Sequence, residues 1–174
     1  MKAIVINYGH QSSDNISSVL HRLNILNRVI EYDEEPKGYY THIILSGGPD
    51  HVYDENSGKL PLWVCESNVP VLGICYGMQL IIYSFGGTVV NMGYTEKKLV
   101  NVTEIFNQTQ HTKLRWMNRT DIVTSIPDEF HITGITENNH IAAITDNKRW
   151  FGIQYHPESS HALDLDIFRL FFAR

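Results

Sequence analysis

Apolar and polar positions follow different rhythms in the two halves of this chain. In the first half, short apolar runs of strand length alternate with segments in which apolar residues recur every three or four positions, as on one face of a helix. The apolar runs predict strands at 3–7, 28–32, 42–45 and 69–74. The helical spacing predicts helices at 16–23, with capping candidates at 12–15, and at 60–67 and 80–85. Strands that alternate with helices in this way predict a parallel sheet with crossover helices.

The second half reads as shorter and more strictly alternating strands separated by polar turns. These predicted strands lie at 88–91, 99–105, 113–117 and 122–124, followed by a hairpin of 141–145 with 150–155 and a closing helix at 164–174. The length fits one domain spanning residues 1–174. The predicted fold class is therefore α/β, with a mostly parallel open sheet flanked by helices and a small antiparallel extension.

Composition narrows the classes of function. Charged residues make up 19% of the chain and the net charge is −5, so a broad nucleic-acid interface is not expected. The apolar start of the chain is too short for a signal peptide, and no apolar run reaches membrane-spanning length. Two cysteines, Cys65 and Cys75, do not make a disulfide framework, which favours a cytoplasmic location. The nine histidines show no metal-ligand spacing, and we expect neither a metal nor another cofactor.

Cys75 lies in the most informative stretch of the sequence. It follows an apolar strand, precedes a helical segment, and is flanked at two residues' distance by Gly73 and Gly77. This spacing is typical of a nucleophile elbow, a sharp strand-to-helix turn that lifts the nucleophile above the sheet in a strained backbone conformation. Larger side chains at the two glycines would collide with neighbouring backbone. The alternative is a small buried thiol, the commoner role of a free cysteine.

Two further strand ends carry residues that suit thiol chemistry. His156 follows an apolar strand and could take the proton of a thiol, while Glu158, two residues later, could hold its ring. Gly47 and Gly48 follow another strand and could turn a backbone N–H towards a developing oxyanion. In open α/β sheets such strand ends meet at one edge, so a thiol active site there is the hypothesis.

With these motifs in view, the chain resembles the class I (triad) glutamine amidotransferases. The resemblance rests on Gly-Ile-Cys-Tyr-Gly-Met-Gln at 73–79 with His-Pro-Glu at 156–158, and it spans nearly the whole chain. It implies a flavodoxin-like fold. Within the family, Ser-Gly-Gly-Pro at 46–49 followed by Val52-Tyr53 is most similar to the glutaminase part of GMP synthases.

The resemblance implies a role for each matching position. Cys75 would attack the side-chain amide of L-glutamine, His156 would carry the proton to the leaving ammonia, and Glu158 would orient the imidazole. The other implied roles are oxyanion binding by the backbone N–H groups of Gly48 and Tyr76, and substrate binding by Gly47, Gln79, Asn118 and Asp121.

The sequence departs from the subgroup in the residues that follow the Trp-Met pair at 116–117. Asn-Arg-Thr-Asp stands at 118–121 where Ser-His-Gly-Asp is usual, and Arg119 reads most simply as a solvated surface side chain. No Ser-Gly-Gly-x-Asp-Ser loop for ATP occurs, so the ammonia acceptor is expected on a separate synthetase subunit of the ATP-pyrophosphatase type. Two alternatives stay open: a partner-independent hydrolase of a γ-glutamyl amide or related compound, and a non-catalytic regulatory subunit that keeps the fold.

Overall fold

A single mixed sheet organises the part of the chain that the computed structural model describes, residues 1–106 and 109–174. Its nine strands are β1 (Lys2–Asn7), β2 (Leu26–Glu31), β3 (His42–Leu45), β4 (Val71–Ile74), β5 (Thr88–Phe106), β6 (Thr109–Ser125), β7 (His131–Thr136), β8 (Ile141–Thr145) and β9 (Trp150–Ile153). The helices are α1 (His10–Arg22), α2 (Leu62–Glu66), α3 (Tyr76–Ser84) and α4 (Leu165–Phe172).

The strand order is β2-β1-β3-β4-β9-β8-β7-β5-β6. The first five of these strands pair in parallel and the rest pair antiparallel. Numbered among themselves, the parallel strands run 2-1-3-4-5, which is the flavodoxin-like order. The predicted fold class is confirmed.

Helices cover both faces of the parallel part. Helices α1 and α4 pack on one face through residues such as Leu20 and Phe168, and α2 and α3 pack on the other through residues such as Val64 and Ile81. Strands β3 and β4 are buried along their whole length, as expected for strands covered on both faces. No helix in the described ranges has the length and apolar character needed to cross a membrane.

The antiparallel part differs from the prediction in its connectivity. The four short strands predicted between 88 and 124 are two long ones, β5 and β6, which pair over most of their length. Glu96 and Arg119, which fall in predicted turns, lie inside this ladder as a buried ion pair. Glu104 and Arg115, from two of the predicted strands, form a second buried pair. The register slips only between Asn91 and Glu96 and at the start of β5.

Strand β7 was missed by the sequence pattern because Gly134 interrupts its alternation. A Cβ at Gly134 would lie 2.9 Å from the Cβ of Ala143 on the neighbouring strand β8. The glycine therefore allows the close approach of the two strands and belongs to the sheet.

His42 gives the fold a testable pH dependence. The residue is 4% exposed, its ring packs against Phe171 and Phe172, and its Nε2 has no hydrogen-bond partner among the described residues. Burial, with a smaller effect from the N-terminal charge, lowers the pKa of His42 below 6.5. Between pH 6.5 and this lowered pKa, the folded state binds fewer protons than the unfolded state. Stability is therefore lost as the pH falls from 6.5 to the pKa of the folded state.

We therefore expect the free energy of unfolding to fall with acidification by up to about 1.4 kcal/mol per pH unit from this residue alone. Urea unfolding of the wild type and of His42→Asn between pH 7.5 and 5 measures the effect. The variant should lose this share of the pH dependence. Parallel curves for the two proteins would contradict the assignment.

Candidate active site

Three strand ends meet above the parallel part of the sheet. Cys75 follows β4, Gly47 and Gly48 follow β3, and His156 follows β9 by three residues. Strand β4 pairs in parallel with both β3 and β9, so their carboxyl ends are neighbours. Together these residues line a cavity of about 550 Å³, within the range of small-molecule sites.

The turn at Cys75 has the geometry of a nucleophile elbow. Cys75 has φ 52° and ψ −105°, a left-handed conformation that costs energy for any residue with a side chain. A Cβ at Gly73 would lie 2.5 Å from the backbone of Gly77, and one at Gly77 would lie 2.4 Å from the carbonyl of Leu45. The predicted collisions at both glycines are confirmed. The turn leaves Cys75 at the N-terminus of α3 with its thiol in the cavity wall.

The sulfur of Cys75 is only slightly exposed and has two polar neighbours. The Nε2 of Gln154 lies 3.5 Å from Sγ, and the carbonyl oxygen of Asn118 lies 3.6 Å from it. Gln154 is fully buried. The thiol therefore contacts the side chain of Gln154, which directly follows β9, and the backbone of Asn118 on β6.

His156 and Glu158 form the second part of the site. Nδ1 of His156 lies 2.8 Å from Oε1 of Glu158, and their side chains are 13% and 2% exposed. Nε2 of His156 is buried without a hydrogen-bond partner among the described residues, which leaves it for the thiol. Burial alone would lower the pKa of His156, but the charges of Cys75 and Glu158 outweigh burial and raise the pKa well above 6.5.

The backbone N–H groups of Gly48 and Tyr76 donate no hydrogen bond to the described residues. Gly48 follows β3, and Tyr76 is the first residue of α3, where an N–H has no acceptor within its helix. A Cβ at Gly48 would lie 2.4 Å from the carbonyl oxygen of Tyr8, so only glycine fits this close packing of two loops.

The four predicted substrate-binding residues, Gly47, Gln79, Asn118 and Asp121, all line the cavity. The Nε2 of Gln79 donates to the carbonyl of Asp121 at 3.1 Å and to Oε1 of Gln154 at 3.1 Å. Asn118 has an exposed side chain.

The carboxylate of Asp121 already forms hydrogen bonds to other side chains of the protein. Its oxygens lie 2.7 Å from Nδ1 of His51 and 3.0 Å from Nδ2 of Asn91, and the residue is 2% exposed. The His51 ring stacks on Tyr53, so these contacts fasten the loop after Gly48 to β6. This geometry favours a bracing role for Asp121 over the direct substrate contact that the resemblance implies.

Arg119 is not the solvated side chain that the sequence predicts. Its side chain is 1% exposed and pairs with Glu96 at 2.8 Å. A second contact joins it to Nδ1 of His140 at 3.1 Å. The prediction was wrong because the carboxylate that neutralises Arg119 lies on the paired strand, 23 positions away.

Sequence reasoning also missed Ser12. The sequence pattern predicts a capping role for it, but α1 begins earlier, at His10, with the extended Gly9 as its N-cap. The Ser12 hydroxyl instead donates to Glu158 at 2.8 Å and accepts the N–H of Gly47 at 3.1 Å. No motif signals this contact, since Ser12 and Glu158 are 146 positions apart.

Within the described residues no group of three or more His, Cys, Asp or Glu is arranged to hold a metal.

The fold and the cysteine elbow define the class of protein. The family model described as "Glutamine amidotransferase class-I" matches residues 4–174. The chain belongs to this family of enzymes.

Within the family, curated relatives named GMP synthase (glutamine-hydrolyzing) are similar to the chain. The protein from Petrotoga mobilis is 36% identical over 178 residues, which cover 98% of this chain and 35% of the relative. The protein from Histophilus somni is 37% identical over an alignment of 178 residues. The alignment covers 92% of this chain and 34% of the relative. The chain thus spans about a third of the length of these relatives.

Solved structures agree with the fold. A Thermoplasma acidophilum protein described as a candidate GMP synthase subunit superposes with a TM-score of 0.85 at 25% identity, covering 99% of this chain and 92% of that one. A glutamine amidotransferase from Thermotoga maritima superposes with a TM-score of 0.76 at 17% identity, covering 91% of this chain and 76% of that one. At that lower identity the second likeness concerns the fold alone.

Proposed function

We propose that the chain hydrolyses the side-chain amide of L-glutamine to glutamate and ammonia, with Cys75, His156 and Glu158 as its catalytic triad. The observation that carries the proposal is the His156–Glu158 pair at 2.8 Å, in one cavity with a cysteine on a strained elbow. Membership in the class-I amidotransferase family supports glutamine as the substrate.

The first half of the reaction forms a thioester. Sγ of Cys75 attacks the amide carbon of glutamine, and its proton goes to Nε2 of His156. The oxyanion that forms is bound by the N–H groups of Gly48 and Tyr76. His156 then protonates the leaving nitrogen, and ammonia departs.

The second half releases glutamate. Water, deprotonated by His156, attacks the thioester carbon, and the thiol leaves with the proton that His156 returns. Glu158 keeps the imidazole in the tautomer and orientation that both halves need, and favours its protonated form between proton transfers.

Three further cavity residues are assigned to glutamine binding. We assign the Asn118 side chain, the backbone at Gly47 and Oε1 of Gln79 to contacts with glutamine, because all three residues line the cavity and Nε2 of Gln79 is already bonded. Asp121 is assigned to bracing the loop through His51 rather than to a substrate contact.

We further propose that the ammonia goes to a GMP-synthase-type synthetase of the ATP-pyrophosphatase class on another polypeptide. The names of the curated relatives support this type of acceptor, and the likeness to a solved structure described as a GMP synthase subunit supports its place on a separate polypeptide. A docked partner would receive ammonia at the mouth of the cavity.

Glutamate release from L-glutamine, with and without such a synthetase, tests the proposal. We expect hydrolysis that an electrophilic glutamine analogue abolishes by labelling Cys75, and glutamine-dependent amination when the synthetase is present. Faster hydrolysis of other γ-glutamyl amides without any partner would favour the independent hydrolase. No turnover and no labelling at Cys75 would contradict a catalytic role.

A further inference from the structure

The Ser12 hydroxyl lies between two parts of the site that no motif connects. It donates a hydrogen bond to Oε1 of Glu158 at 2.8 Å, and Oε1 is also the atom that faces Nδ1 of His156 at 2.8 Å. The same hydroxyl accepts the N–H of Gly47 at 3.1 Å. One side chain on α1 therefore contacts both the acid of the triad and the loop that carries the oxyanion donor.

We propose that Ser12 is a positioning residue for the hydrolysis reaction, which fixes the Glu158 carboxylate against His156 and holds the loop at Gly47, one residue before the proposed oxyanion donor Gly48. The inference rests on the proposed function for its substrate, but its geometry is independent of which amide is cleaved. The Ser12 hydroxyl is bonded to Glu158 and Gly47, so we assign it an effect on the reaction through these two residues.

Glu158 needs such a partner because it is nearly buried and otherwise poorly anchored. Its side chain is 2% exposed, and Oε2 has no hydrogen-bond partner among the described residues. Oε1 bonds only to His156 and Ser12 there. Without the Ser12 hydroxyl, His156 is the only remaining hydrogen-bond partner of the carboxylate among the described residues. The carboxylate is then free to rotate and to turn Oε1 away from the imidazole.

Gly47 depends on Ser12 in a different way. A Cβ at Gly47 would lie 2.7 Å from Cε1 of His156 and 3.2 Å from Oγ of Ser12, so the loop, the imidazole and the hydroxyl pack within contact distance. The bond from the Gly47 N–H fixes the Ser46–Gly47 peptide group, which directly precedes the Gly47–Gly48 peptide. The next N–H along the chain is that of Gly48, the proposed oxyanion donor.

The test compares Ser12→Ala with the conservative Ser12→Thr and with Ser18→Ala as a matched control. Alanine is well tolerated in a helix, so α1 should persist. Ser18 lies on the same helix, is exposed, and bonds only to the carbonyl of Asp14. We expect Ser12→Ala to lower kcat for glutamine roughly tenfold, as for the loss of a hydrogen bond to a charged group, with KM within about twofold of wild type.

Alkylation by iodoacetamide provides a readout that does not depend on the substrate. The Cys75 sulfur forms a bond to carbon, iodide leaves, and His156 takes the proton, while the exposed Cys65 reacts as an internal reference. We expect Ser12→Ala to lower the ratio of Cys75 to Cys65 labelling, Ser12→Thr to restore most of both readouts, and Ser18→Ala to change neither.

Wild-type kcat and labelling ratio in Ser12→Ala would overturn the inference, as would a Ser12→Thr variant as impaired as Ser12→Ala. A raised KM with unchanged kcat would also overturn it. If the wild type hydrolyses no glutamine, the proposed function fails, and the labelling ratio alone then decides the role of Ser12.

Discussion

Replacement of Cys75 with alanine is expected to lower glutamine hydrolysis by roughly 10⁴-fold or more, since no thioester can form without the sulfur. The fold should survive, because alanine keeps the Cβ that the backbone already accommodates at φ 52°. Glutamine should still bind, since its other contacts come from the cavity walls. Steady-state glutamate release, circular dichroism and calorimetric titration measure the three expectations.

Cys65→Ala is the matched control for this experiment. Cys65 is the other free cysteine and is exposed on α2, on the sheet face opposite α1 and α4. Its replacement should leave kcat and KM unchanged. A Cys75→Ala variant that kept more than about a hundredth of wild-type activity would show that another group attacks the amide.

Cys75, His156 and Glu158, which the sequence identifies as candidates, share one property: each belongs to a short motif that follows a parallel strand. Cys75 follows an apolar run and is flanked by glycines, and His156 and Glu158 directly follow another such run. Because the topology of a parallel α/β sheet brings strand ends to one edge, local sequence was enough to predict that these residues would share a cavity. The collision at Gly73 could be predicted from the elbow alone, because it involves the backbone of Gly77, whereas the one at Gly77 is with Leu45 on the neighbouring strand β3.

The residues that were missed depend on partners far away in the chain. Arg119 reads as a surface charge because lone charged side chains are rarely buried. Its burial becomes clear only from the register of β5 on β6, which places Glu96 opposite Arg119. The same two strands carry a second buried pair, Glu104 with Arg115, and they stand where the pattern predicts four short strands.

That second pair carries the largest expected effect on stability. Arg115→Met should lower the free energy of unfolding by about 3–5 kcal/mol, because removing one partner of a buried pair leaves an uncompensated charge. The side chains of Arg115 and Glu104 are 3% and 2% exposed, with Nη2 to Oε2 at 2.6 Å. The guanidinium also pairs with Asp164 and lies 4.5 Å from the ring centre of Tyr155.

The network extends from this pair to the active site. Burial and the Glu104 charge raise the pKa of Tyr155 well above its usual value, so its hydroxyl stays protonated and donates to Glu104. Tyr155 directly precedes His156, and the N–H of Asp164 donates to the carbonyl of Pro157 at 2.9 Å. Loss of Arg115 should therefore loosen both ends of the His-Pro-Glu segment, so that kcat falls along with stability.

Urea unfolding of Arg115→Met against Lys113→Met measures the effect with a near neighbour as control. Lys113 also pairs with Asp164, but it is 52% exposed and 3.4 Å away, so its loss should cost less than about 1 kcal/mol. The double variant Arg115→Met with Glu104→Gln removes both charges and keeps an oxygen for the Tyr155 hydroxyl. It should be more stable than Arg115→Met alone. A loss below about 1 kcal/mol in Arg115→Met would mean that water, rather than protein, solvates Glu104 in the folded chain.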